Sequence, residues 1–293
     1  MKKIIKWIGI GGSGLLVLLL LVVFGLSWRA SVRLNRTYNI TPEALTIPSA
    51  TDAINEGERL TAIYCANCHG ANLGGADFFN DSALAVIDAP NLTGGEGGIG
   101  AQLSDVDWVR AIRHGVDPTG RPLFIMPSRN FYFFSDEDLG AIIAYLKTAP
   151  PVDRTANDRS TTLLGRVLLT LGLFGDLIDA EYIAHTAARP IAPAPGVTVE
   201  YGQYLADTFG CRTCHGPQLS GGKDPNPEAP PGPNLTPGGN LGKWDEQTFL
   251  TAIRTRQSKW MGFEALNHMT DAELQALWRY LQSLPAVATV ASP

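Results

Sequence analysis

The stretch Cys65-Ala66-Asn67-Cys68-His69 decides the reading of this chain, and Cys211-Arg212-Thr213-Cys214-His215 repeats it. Two thiols separated by two residues, with histidine directly after the second, form the attachment pattern for a c-type haem. Each thiol adds to one vinyl group of a porphyrin, so the cysteines must stand about one helical turn apart. The histidine then lies under the ring, where its imidazole binds iron as the proximal ligand. A zinc site would want two thiolate pairs close together, or a Cys pair and a His pair at short spacing. Here the two pairs are far apart, each embedded in its own similar segment, and they use all four cysteines. A redox Cys-x-x-Cys has no need of histidine in the same place twice. The spacing therefore predicts two haem c groups. Cys65, Cys68, Cys211 and Cys214 form the thioether bonds, and His69 and His215 bind the irons.

Outward from the two motifs the chain repeats itself. Gly57-Glu58-Arg59-Leu60 before the first motif is echoed by Gly202-Gln203-Tyr204-Leu205 before the second. Pro90-Asn91-Leu92-Thr93 returns as Pro233-Asn234-Leu235-Thr236, and Ala111-Ile112-Arg113 as Ala252-Ile253-Arg254. A repeat of this length means duplication of a whole domain, and 293 residues suit about two domains. Ile54, Leu60 and Ile63 support a helix leading into Cys65. Ser104 to Arg113 reads as a helix, with Ser104 and Asp107 placed as a capping box. Ser135 opens another, with Leu139, Ile142, Ile143 and Leu146 on one face; Thr270 and Glu273 cap its counterpart, which carries Leu274, Leu277, Trp278 and Leu281. Gly70 to Gly100 is glycine-rich and is expected to be a loop wrapping closely round the ring, where the lack of Cβ helps. The repeats occupy residues 51–150 and 196–293.

The N-terminal part differs in kind. Residues 1–6 carry Lys2, Lys3 and Lys6, and the twenty-two residues from Trp7 to Trp28 hold no charge. That is enough for a helix to cross a bilayer, which takes about 20 residues. A cleaved signal peptide is the alternative, but Phe24-Gly25-Leu26-Ser27-Trp28-Arg29 offers no clear Ala-x-Ala site, and tryptophans at both ends suit interfacial anchoring. Residues 7–28 are thus expected to be a transmembrane anchor. Residues 29–50, with Pro42 and Pro48, form a linker. The lysines favour a cytoplasmic N-terminus, although Arg29, Arg33 and Arg36 dilute the signal. Between the repeats, residues 151–195 contain an amphipathic stretch, Leu163 to Ile178. It is expected to be a helix packing the two haem domains together, with a membrane surface or partner subunit as the alternative. Outside the N-terminus no basic run appears and the net charge is −5, which argues against nucleic acid as a partner.

What lies on the far side of each iron decides the chemistry. Methionine there closes the site and raises the potential for electron transfer; an open position permits small-molecule chemistry. The chain has four methionines, and Met126, followed by Pro127 just before a helix, is the candidate in the first half. Its bland reading is a core-filling thioether. The second half offers Met261, Met269 and His268. Met126 precedes Leu139 by thirteen residues and Pro150 by twenty-four; Met261 stands in the same relation to Leu274 and Pro285. The repeat therefore selects Met261, with Met269, at the position of Phe134, as the alternative. His114 and His185 take surface or structural readings, and His268 that of a solvated or capping residue, with bis-histidine ligation as its alternative.

The soluble part resembles the bacterial membrane-anchored dihaem cytochromes c, and is similar to the cytochrome subunits that accept electrons from periplasmic alcohol, aldehyde and sugar dehydrogenases. The resemblance is carried by Gly57 to Leu60 through Cys65 to Gly70, then Pro90-Asn91-Leu92-Thr93. Ile112-Arg113-His114-Gly115-Val116 through Gly120-Arg121-Pro122-Leu123 and Met126-Pro127 complete it. Many of these subunits carry three haem motifs where this chain has two, and its second half lacks the Gly-Arg-Pro-Leu stretch. The resemblance implies a mainly α fold: two tandem class I cytochrome c-like haem domains behind an N-terminal transmembrane helix. It implies that the carbonyls of Pro90 and Pro233 accept a hydrogen bond from the ligating imidazoles, and that the haem domains face the periplasm or cell exterior. The redox partners it implies are a dehydrogenase subunit, a quinol-oxidising complex or a terminal oxidase. The expected function is a single-electron relay. A dihaem peroxidase or sulfur-compound oxidoreductase with one open iron is the competing reading, and a haem-based sensor finds no signalling domain to serve.

Overall fold

The computed structural model describes residues 2–224, 228–258 and 260–289. Helix α1, Lys2–Leu34, runs unbroken for 33 residues, about 50 Å at 1.5 Å per residue. It continues past Trp28 because nothing in Arg29 to Leu34 breaks a helix. Its first two-thirds stand clear of the protein, with Trp7 72% and Leu21 62% exposed, while Ala30 and Leu34 are buried.

The first half then folds as α2 (Thr51–Tyr64), α3 (Ala66–His69), β1 (Ala76–Asp81), β2 (Ala85–Ala89), α4 (Asp105–His114), α5 (Ser128–Phe131) and α6 (Asp136–Thr148). A short connection holds β3 (Ser160–Thr161) and α7 (Leu163–Thr170). The second half repeats the plan with α8 (Val199–Phe209), α9 (Cys211–His215), β4 (Ser220–Gly222), β5 (Gly232–Asn234), α10 (Glu246–Thr255), α11 (Phe263–Leu266) and α12 (Asp271–Ser283). Among the described residues helix accounts for 48% and strand for 7%. The expected caps are present. Ser104 with Asp107, and Thr270 with Glu273, form reciprocal capping boxes, which satisfy two otherwise orphaned N–H groups apiece.

Each half is organised by one helix crossing. Helix α2 packs on α6 and α8 on α12, and a glycine sits at each crossing. A Cβ at Gly57 would lie 1.9 Å from the Ala141 carbonyl oxygen, and one at Gly202 would lie 2.0 Å from that of Ala276. The crossing fixes the end of α2 and α8, from which the chain turns directly into each cysteine motif. The two halves share one continuous apolar core. Tyr64 packs with Phe131 and Phe134 of its own half and reaches Phe209 across the junction. Its hydroxyl lies 3.1 Å from Thr208 Oγ1. Arg59 donates to both oxygens of Glu273 at 2.8 and 2.9 Å, and the Tyr204 hydroxyl donates to Asp138.

Two expectations are corrected. The glycine-rich stretch is not all loop: β1 and β2 form an antiparallel hairpin within it, extended by β3. Nor does the stretch from Leu163 join the two halves. Its helix stops at Thr170, where Gly172 takes φ +73°, and it packs against the end of α1 in a cluster of Ala30, Leu34, Leu169 and Ile178. The two halves meet through their own helices instead.

Candidate functional site

In each half the cysteine motif is a single helical turn that ends at its histidine, capped by a glycine at φ +80° (Gly70) or +79° (Gly216). The chain then passes through a residue in the left-handed region that is not glycine, Leu73 at φ 58° and Leu219 at φ 57°. Such a conformation costs about 1–3 kcal/mol and persists only where its surroundings enforce it. They do so identically here. The Leu73 carbonyl accepts from Leu92 N at 2.8 Å, and the Leu219 carbonyl from Leu235 N at 2.8 Å. This pairing draws the Pro-Asn-Leu-Thr segment alongside the motif.

The consequence is a hydrogen bond from each histidine. His69 Nδ1 lies 2.9 Å from the Pro90 carbonyl oxygen, and His215 Nδ1 lies 2.8 Å from that of Pro233. A carbonyl only accepts, so Nδ1 carries the proton and Nε2 presents its lone pair. Burial lowers both imidazole pKa values, and the carbonyl bond opposes that shift. The neutral ring is the ligating form.

Behind each proline stands a pair of residues that the sequence reading passed over. Asn91 is fully buried and Asn234 is 5% exposed. Asn91 Nδ2 donates to the Val152 carbonyl at 2.6 Å, and Asn234 Nδ2 to that of Val287 at 2.7 Å. Their Oδ1 atoms accept from the backbone N–H of Thr93 and Thr236, each at 2.9 Å. They fix the loop whose carbonyl orients the histidine. The repeat of the whole tetrapeptide, rather than of proline alone, was the signal.

Met126 and Met261 occupy matching places. Each precedes the N-cap of a one-turn helix, α5 or α11, and its carbonyl accepts from the N–H two residues on, at 2.8 Å to Ser128 and 2.7 Å to Phe263. Met126 comes directly after Ile125, another left-handed residue at φ 71°. Met269 lies elsewhere: it is 2% exposed in the core, and its carbonyl accepts from Arg254 Nη2 at 2.7 Å. Phe134, its counterpart, accepts from the fully buried Arg113 at 3.0 Å. Arg113 and Arg254 therefore tie the end of each methionine loop to the helix before it, a role the sequence reading also missed although the Ala-Ile-Arg repeat marks it.

In the second half these groups converge. Cys211, Cys214, His215, Pro233 and Met261 line one cavity of about 610 Å³, walled by Trp244, Phe249, Ile253 and Leu277. That is the size and character of a cofactor pocket, apolar with a few convergent polar groups. In the first half Cys65 and Met126 pack on the same core with Ile99 and Leu103. Trp108, at the position of cavity-lining Phe249, is 2% exposed with its indole N–H unpartnered by protein. A buried donor without an acceptor calls for one supplied by a bound group. All four cysteines are unpaired, and among the described residues no three His, Cys, Asp or Glu side chains converge as a metal-ion site. The donor set, the apolar walls and the orphaned indole all fit a c-type haem. The remaining histidines are away from it. His268 is exposed, and His114 is buried against His185, Nδ1 to Nδ1 at 3.1 Å.

The sequence profile of the "Cytochrome C oxidase, cbb3-type, subunit III" family matches residues 52–146 and again residues 198–281. The chain belongs to this family. Each match of the cbb3-type profile contains one cysteine motif, so the fold is two tandem cytochrome c domains. Among curated proteins it is similar to the gluconate 2-dehydrogenase cytochrome c subunit of Pantoea cypripedii, at 29% identity over 83% of this chain and 62% of that one. It is similar to the fructose dehydrogenase cytochrome subunit of Gluconobacter japonicus, at 27% over 85% of this chain and 55% of that one. A diheme cytochrome c-type protein of Cereibacter sphaeroides is 26% identical over 88% of this chain and 94% of its own length. The chain thus spans little more than half of the dehydrogenase subunits it matches.

Proposed function

We propose that the chain is a dihaem c-type cytochrome relaying single electrons on the periplasmic face of the cytoplasmic membrane. It would take them from a dehydrogenase and pass them toward a terminal acceptor. A quinol-oxidising complex as donor and a terminal oxidase as acceptor are the neighbouring assignments. The observation that carries the reading is the shared cavity of Cys211, Cys214, His215 and Met261, with the same residue order and local geometry in the first half. The names of the relatives support a dehydrogenase partner, and the diheme relative of similar length supports two haems. The domains are taken as 51–150 and 196–293, joined by 151–195 and carried on a single anchor at 7–28. α1 is long and apolar enough to cross a membrane.

Held by Cys65 and Cys68, and by Cys211 and Cys214, haem c supplies reversible one-electron exchange. The chain's own residues set the terms of that exchange. His69 and His215 present Nε2 to the metal, and the Pro90 and Pro233 carbonyls orient the rings and raise their basicity. Met126 and Met261 would supply thioethers to the irons, ligands that favour the reduced state and would close the site to substrate. Trp244, Phe249 and their neighbours keep water out. No acid or base is required, so the chain is read as an electron-transfer protein rather than an enzyme.

The test is a set of methionine variants examined by optical and EPR spectroscopy. Met261→Ala should convert one iron to high spin and lower its potential, Met126→Ala should do the same to the other, and Met269→Ala should leave the spectrum unchanged. If Met269→Ala opens the site instead, the assignment of Met261 is wrong. A wild-type protein with one high-spin iron that turns over peroxide would sink the relay reading.

A further inference from the structure

The chain between the two haem domains makes a second approach to the bilayer. Helix α7 runs antiparallel to the end of α1. Arg159 Nη2 reaches the Leu34 carbonyl at 3.4 Å, Arg166 donates to Ser31 Oγ at 3.0 Å, and Thr170 Oγ1 donates to the Leu26 carbonyl at 2.9 Å. Its N-terminal end thus points toward the haem domains and its C-terminal end back along α1. Leu26 lies inside the uncharged span that closes at Trp28. Thr170 is therefore level with a point about 5 Å to the membrane side of Arg29, the first charge after the span.

Beyond Thr170 the chain forms an apolar tip: Leu171-Gly172-Leu173-Phe174-Gly175. Leu171 and Leu173 are 56% and 59% exposed, and on α1 Phe24 and Trp28 are equally bare at 64% and 63%. Phe24 and Trp28 stack on each other at 6.2 Å, and tryptophan at this level marks a membrane interface. Four of the tip's five backbone N–H groups are paired within the segment. Leu171 N donates to Val167 O, Gly172 N to Leu169 O, Leu173 N to Leu168 O, and Gly175 N to Gly172 O, at 3.0 to 3.2 Å. Gly172 and Gly175, at φ 73° and 69°, allow this tight closure. Internal pairing is what hydrocarbon demands of any backbone that enters it. The charges that follow the tip and face the end of α1 are paired. Asp176 accepts from the Tyr182 hydroxyl at 2.5 Å, and Arg33 is paired with Glu181 at 2.7 Å.

We infer that the tip at residues 171–175 inserts into the outer leaflet beside α1, giving the haem domains two points of attachment and one fixed face toward the membrane. This rests on α1 being a bilayer span. The partner is lipid rather than a protein subunit, because the apolar surface of the tip continues that of the anchor at the same depth.

The test places single thiols in the full-length holoprotein, where the four native cysteines are occupied by haem. Leu20→Cys, Leu173→Cys, Leu164→Cys and Glu200→Cys are spin-labelled in nanodiscs of phosphatidylcholine and phosphatidylglycerol containing no other protein. Collision with oxygen and with an aqueous nickel chelate then gives the depth of each label. The expected order is 20 deepest, then 173, then 164, with 200 fully aqueous. A label at 173 as open to nickel as the one at 200, with 20 still in hydrocarbon, overturns the inference alone; a subunit partner would then be the occupant. Labels at 20 and 173 both aqueous overturn the anchor reading itself.

Discussion

Gly57→Ala should weaken the first domain although it replaces a poor helix former with the best one. A carbon approaches a carbonyl oxygen to about 3.3 Å, and the new Cβ would start 1.9 Å from Ala141 O. Helices α2 and α6 must separate by roughly 1.4 Å, the difference between those two distances. Overpacking of this kind costs about 3 kcal/mol at the upper end of its usual range. The alanine returns about 1 kcal/mol of helix propensity. The net loss is about 2 kcal/mol, roughly a thirtyfold fall in the folded-to-unfolded ratio. Because α2 runs straight into Cys65, the same shift displaces the cysteine motif. The assay is guanidinium unfolding monitored at the haem absorbance, with transitions compared separately because two domains need not unfold together. Gly202→Ala should behave alike in the second domain, whereas Gly12→Ala in α1, with nothing within 4 Å of its new Cβ, should not lower stability. A Gly57→Ala protein as stable as wild type, or more so, would refute the close crossing, since that is what propensity alone delivers.

The remaining expectations concern pH and the membrane. Burial, then the neighbouring His185, pushes the His114 pKa down to about 4, with Glu43 opposing and Arg113 and Arg189 assisting. The unfolded chain therefore binds an extra proton between about pH 6.5 and pH 4, so this site's stability is full above pH 6.5 and is lost as pH falls toward 4. The drop in unfolding midpoint from pH 7.5 to 5 should shrink in His114→Asn; an unchanged drop would deny the histidine that part. The protein should stay with membranes through a high-salt wash and keep Met1 or Lys2 at its N-terminus. A soluble form starting near Ser27 would identify a cleaved leader.

Much of this architecture is legible in the sequence because it rests on local chemistry. The cysteine motifs, the Ser104 and Thr270 caps and the ungapped register from methionine to proline are each set by residues close together in the chain. What escaped depends on partners that local patterning does not name. The Ala76–Asp81 strand carries Asp77, Asn80 and Asp81 and has no strand-like alternation; it pairs with Ala85–Ala89, which in turn pairs with Ser160–Thr161. The apolar stripe from Leu163 showed that a helix would pack on something, but periodicity does not say on what, and its partner is the end of α1. His114 read as surface or structural; it is buried, and the ring against it, His185, comes from the connecting segment, where the Ala180 carbonyl holds it. Asn91 and Asn234 have roles set by the Val152 and Val287 carbonyls, which lie far along the chain from their motif.

The central claim, two methionine-closed haem c centres passing single electrons, is tested most directly by one optical redox titration of the full-length protein. Two reversible one-electron steps with c-type spectra are expected, both irons low-spin throughout and neither step moved by added azide. A single step, or a step belonging to a high-spin iron that shifts when azide binds, would contradict it.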